Sequence, residues 1–173
     1  MANESKQQEM KELRSRLIER ADSDPSTHAY IKHEFDLAYN SGDLELLRAF
    51  DALFVPGSAL DNTHEYVAHL RHVVPDEPLD KYFTQEHVTA FYQTAFALQV
   101  ASGARVFNNV GGYEVMESHH PNIPLLKAVL ERPEQYEQIV SLIRTRGITD
   151  PAVVLDLYRE MCAQPRPLSE GTL

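Results

Sequence analysis

Between Phe83 and Gly103 the chain carries a stretch, FTQEHVTAFYQTAFALQVASG, that is apolar on nearly every side of a helical wheel. Thr84 is a good N-cap residue and Glu86 suits the positive end of a helix dipole. Phe83 with Val88 has the N′/N4 spacing of a hydrophobic staple. Gly103 ends the helix, because a left-handed residue past the last turn costs glycine no steric penalty. Between these signals lie about 18 residues, or roughly 27 Å of helix. Val88, Phe91, Tyr92, Ala95 and Phe96 make one side bulky, while Ala90, Ala97 and Ala101 make the other small. Such a helix must be buried on nearly every face, so other helices are expected to surround it. Thr84, Gln85, Glu86, His87, Gln93 and Gln99 interrupt it short of the roughly 20 apolar residues of a membrane span, so no membrane partner is expected.

The flanking chain supplies those helices. Met10, Leu13, Leu17, Ile18 and Ala21 fall at helical spacing in the first segment. Asp24-Pro25 then reads as an N-cap followed by proline at the first helical position, starting a second helix that runs to about Asn40. The join NSGD is long enough only for a tight turn, so the third helix, Asp43 to Phe54, folds back on the second. A fourth runs from near Asn62 to before Pro75. Beyond Gly103, Asn108-Asn109, Gly111-Gly112 and Pro121 punctuate a stretch whose β-prone pieces, Val106-Phe107 and Tyr113 to Met116, can pair as a small hairpin. Helicity resumes at Asn122, again at Pro133 with Gly147 past the end, and finally at Asp150-Pro151. The expected architecture is all-α: a compact bundle of seven or eight helices around the apolar helix at about 85–102, with one irregular or small β-hairpin segment at about 104–121. Residues 1–164 form a single helical domain and 165–173 a disordered tail.

Composition bears on function mainly by exclusion. A chain of 173 residues can bury a real core without staples, and the single Cys162 closes no internal disulfide. The polar start MANESKQQEMKEL lacks an apolar signal region, so the cytoplasm is the expected address. The net charge of -10, with thirteen acids against five bases over residues 25–121, argues against direct nucleic-acid binding. No P-loop, dinucleotide fingerprint, CxxC or HExxH motif is present, and no cofactor is indicated by a motif.

Three groups of residues stand out as site candidates. Glu65, His69 and His72 lie at i, i+4 and i+7, which aligns three potential metal ligands. On a wheel they cluster within roughly 60°, while the apolar residues Tyr66, Val67, Leu70, Val73 and Val74 centre roughly 140° away. The trio is therefore expected to face outward. Glu34 and Gln99 sit among apolar neighbours, where a polar group must be paired, hydrogen-bonded or, for the carboxyl, protonated. The third group lies in the long irregular stretch, a kind of connection usually reserved for function. Arg105 there could clamp an anion beside Asn108, Asn109 and Tyr113, and one of His119 and His120 could reach the same site.

Two functional readings follow. The first, a cytosolic helical protein-interaction or regulatory domain that binds another protein or itself as a homodimer, rests on rich helix signals without a convergent catalytic set. The alternative is a small-molecule or metal-binding protein, or an enzyme, with its site at the 105–120 segment over the apolar helix.

Overall fold

A computed structural model of the chain describes residues 2–27, 29–57, 63–102, 108–110, 113–115 and 121–163. Among these residues there are eight α-helices, which form an all-α bundle. They are α1 (Ala2–Asp22), α2 (Ala29–Asn40), α3 (Leu44–Leu53), α4 (Thr63–Val73), α5 (Gln85–Ser102), α6 (Ile123–Glu131), α7 (Tyr136–Arg146) and α8 (Pro151–Ala163). No helix among the described residues is long and apolar enough to cross a membrane.

The helices begin and end where backbone groups find local partners. Asp43 caps α3, its Oδ1 accepting from the Leu46 N–H at 3.1 Å, and Gly42 takes a positive φ of 72° just before it. This completes the tight α2–α3 turn. Thr84 accepts from the His87 N–H at 3.1 Å and so caps α5. Asp150 accepts from the Ala152 N–H at 3.0 Å with Pro151 opening α8. Gly147 ends α7 in the left-handed conformation. The same Asp-Pro signal misleads at Asp24. Its carboxylate is taken by the Ser26 N–H and hydroxyl, at 3.0 and 2.6 Å, and the Thr27 N–H bonds back to the Asp24 carbonyl. Asp24 thereby closes a turn, and α2 starts at Ala29. Asn122 precedes α6 without a side-chain capping bond.

In the N-terminal half, α1 lays Met10, Leu13, Leu17 and Ala21 against α2 and α3. Phe35 of α2 meets Phe50 and Phe54 edge-on, with centroids 5.0 and 5.2 Å apart. Arginines tie the rim: Arg14 to Asp36, Arg16 and Arg20 to Asp51, and Arg48 to Glu9. Arg20 also donates to the Phe54 carbonyl at 2.8 Å, satisfying an acceptor that the end of α3 would leave open. In the C-terminal half α5 packs most extensively on α7, and α6 packs on α5 and α8. Helix α4 joins the halves, resting on α3 and on α6.

The central-helix expectation needs correction. Ala90, Phe91, Thr94, Ala95, Ala97 and Leu98 of α5 are buried, but Phe96 is 45% exposed and Val100 82% exposed. The wheel shows which faces are apolar; it cannot show that α6 and α7 cover only part of the circumference. Between α5 and α6, Asn108–Val110 (β1) pairs antiparallel with Tyr113–Val115 (β2), in the register Asn108↔Val115, Asn109↔Glu114 and Val110↔Tyr113. The earlier piece Val106-Phe107 and the segment 165–173 lie outside the described residues.

Candidate functional site

Arg105, His119 and His120 lie outside the described residues. Asn108 and Asn109 on β1 and Tyr113 on β2 share one ladder, and β2 lies against α4. Glu34 is half-buried on α2 and Gln99 half-buried on α5. No group of three or more His, Cys, Asp or Glu side chains among the described residues is arranged to hold a metal ion, so Glu65, His69 and His72 are not gathered as ligands.

His69 corrects the outward-facing expectation directly, because it is buried to 1% exposure. Its ring stacks on Phe91 at 5.4 Å and meets Tyr92 edge-on at 6.0 Å. Tyr66, one turn earlier, packs edge-on against Phe91 and donates its hydroxyl to the Tyr82 carbonyl at 2.8 Å. Burial pushes the His69 imidazole from its ordinary 6.5 down to about 4, and the neighbouring His72 adds to the shift. His69 is therefore a neutral ring at neutral pH, part of an aromatic joint between α4 and α5. Glu65 and His72 stay half-buried to either side of it along the helix.

His72 opens instead onto a groove walled by α4, α6 and α8, with a cavity volume of about 730 Å³. Helix α6 buries Leu125, Leu126, Val129 and Leu130, and Ile123, Pro124, Lys127 and Glu131, with buried Ala128 at their edge, form one wall. The facing wall comes from Tyr158, Arg159, Cys162 and Ala163 of α8, at steps of one and four. Gln135 braces the α8 wall: its Oε1 accepts from the Tyr158 hydroxyl at 3.1 Å and from the Cys162 thiol at 3.3 Å. Burial, first of all, pushes the Tyr158 phenol above its ordinary range, so it stays a neutral donor.

The electrostatics of this groove run against the rest of the protein. Lys127, Arg132 and Arg159 line it with His72, against the single carboxylate of Glu131. All eight ion pairs among the described residues lie between Glu9 and Lys81. None of Lys127, Arg132 and Arg159 takes part in one, although Lys127 is near enough to help hold the Glu77 carboxyl below its usual range, behind the Lys81 and Tyr82 hydrogen bonds. In a chain of net charge -10, this concentrates positive charge on a groove of mixed polar and apolar lining. Chemically it can bind an anionic group beside an apolar body, and among its side chains no nucleophile is paired with a base.

Sequence reasoning missed Lys127, Arg132 and Arg159. A wheel of α6 carries part of the signal, since the groove-side residues centre roughly 180° from the leucines at about 100° per residue. These features define an all-helical bundle with a cationic groove. No protein-family model, curated protein or solved structure matches the chain, so the functional reading stands on the groove itself.

Proposed function

We propose that this chain is a non-enzymatic helical interaction domain, working in the cytoplasm, whose α4/α6/α8 groove takes an acidic, partly apolar segment of a partner protein. One observation carries the reading: three cations that take part in no ion pair among the described residues line a groove of mixed polar and apolar lining in an otherwise acidic protein. The groove follows the nine residues of α6, a length of about 13 Å, with Lys127 midway along it, Arg132 just past its end and Arg159 across on α8. Charges spaced in this way match several carboxylates on an extended or helical segment better than one compact anion.

Calorimetric titration of the full chain with a short peptide of alternating glutamate and leucine tests this. Binding is expected at low salt, weaker at high salt, and absent for the same peptide with lysine in place of glutamate. The double change Lys127→Glu with Arg159→Glu is expected to weaken it by about tenfold or more. No binding at low salt, or binding that is indifferent to the double change, overturns the assignment.

The second reading, a small ligand or metal held over α4 and α5 by the 105–120 segment, is supported by the contact of β2 with α4. Metal analysis and native mass measurement of the purified protein test it. A clean apo mass counts against it.

A further inference from the structure

Helix α6 gives way at Arg132 because a proline follows, and a single 3-10 turn, Pro133–Gln135, carries the chain on into α7. The corner is fixed at Arg132 on both sides. Its N–H donates to the Ala128 and Val129 carbonyls at 3.3 and 3.2 Å, and its carbonyl accepts from the Gln135 N–H at 3.0 Å. The backbone of Gln135 is thus tied to one cation of the groove. Its side chain reaches the helix that carries another, because Oε1 accepts both the Tyr158 hydroxyl and the Cys162 thiol. We propose that Gln135 is the positioning residue of the cationic groove: it sets the separation of Arg132 from Arg159, and with it the spacing of carboxylates that the groove accepts. The inference rests on the partner-binding reading of that groove and names what decides its fit.

The need for such a clasp lies in how α8 is buried. Its core residues are Val154, Leu155 and Tyr158. Past Tyr158, the side chains of Arg159, Glu160, Met161 and Ala163 are exposed and Cys162 is half-buried. Apolar packing therefore anchors the start of α8 and leaves its last turn, with Arg159 at its head, to polar contacts. One hydrogen bond would let that turn roll about the bond. Tyr158 and Cys162 lie one turn apart and about 40° apart on a wheel, so a single acceptor that holds both fixes the roll, and Arg159, about 60° beyond Cys162, follows. An amide oxygen has two lone pairs and can serve both donors, of which the phenol is the stronger and the thiol the weaker. Arg132 is near enough to temper the burial-driven rise of the Tyr158 phenol, so the clasp sits within electrostatic reach of the charges it spaces.

Titration of the full chain with the alternating glutamate and leucine peptide, at several salt concentrations, tests this. Gln135→Met keeps the length of the side chain and the charge of the groove but removes the acceptor. It is expected to weaken binding by about fivefold and to flatten the salt dependence, since Arg132 and Arg159 then no longer engage two carboxylates together. Tyr158→Phe removes the stronger donor at nearly constant volume and is expected to reproduce most of that loss. With Tyr158→Phe and Cys162→Ala both in place no donor is left, and adding Gln135→Met is then expected to change little. A thermal melt confirms that each variant is folded. No loss of affinity, a loss with an unchanged salt slope, or an equal loss in the background without donors overturns the clasp and leaves the groove reading standing. A wild type that does not bind the peptide overturns both.

Discussion

Acid should loosen this protein through one buried ring. His69 has an ordinary imidazole value of 6.5 in the unfolded chain and about 4 in the folded one. The native state thus binds fewer protons than the unfolded state between those values, and stability falls as pH falls through that window. Above about pH 7 the ring is neutral in both states and contributes nothing to the slope; below about pH 4 it is charged in both and the full loss is present. Integrated from pH 7.5 to 5.0, the linkage amounts to about 2 kcal/mol, and its full extent is about 3 kcal/mol. Carboxyls held low by their partners, such as Glu9 beside Arg48 and Glu77 beside Lys81, also lose stability in acid, so the wild-type profile alone does not isolate the ring. The comparison with His69→Leu does. Urea unfolding of both proteins at pH 7.5 and 5.0 should show the wild type losing about 2 kcal/mol more than the variant, whatever the variant's starting stability. Parallel pH profiles, or a His69 ring resonance that titrates near its ordinary value, would refute the argument that the α4–α5 joint excludes water.

Two further predictions concern the turns and caps. Gly57 has a φ of 85°, and a Cβ there would run into the Asp24 carboxylate that Ser26 holds in place, whereas a Cβ at Gly42, φ 72°, meets nothing within 4 Å. Gly42→Ala should cost about 1 kcal/mol for the left-handed backbone alone, and Gly57→Ala clearly more; equal denaturation midpoints for the two variants would sink this ordering. Asp150→Ala removes the cap of α8 and should destabilise by about 1 kcal/mol in the same assay, with an unchanged midpoint counting against a capping role.

Helix boundaries were legible wherever the signal was a local hydrogen bond. Thr84, Asp43, Asp150 and Gly147 act within a turn of their own positions, and each does what its residue type implies. Asp24-Pro25 shows the limit of that logic, because Ser26 sits close enough to capture the carboxylate before a helix can use it. Burial was less legible than boundary. The polar side of α4 reads as solvated on a wheel, yet α4 is hemmed in by α3 and α6 and by the rings of α5, so His69 is buried outside the apolar stripe. The converse holds at Phe96, an apolar residue that is 45% exposed. The groove was illegible for a different reason: α6 carries a wall of it, but His72 and Arg159 are far from Lys127 in sequence and only the fold brings them alongside.

Most helix contacts in this bundle join elements that are near neighbours along the chain: α1 with α2 and α3, α5 with α6 and α7, α6 with α8. Ordering such contacts requires closing only short loops, and low contact order goes with fast folding. The arrangement also suits synthesis from one end. The α1–α3 layer has all three of its members translated before α4 emerges, so its apolar face with Phe35 and Phe50 need not wait for the rest of the chain to find cover.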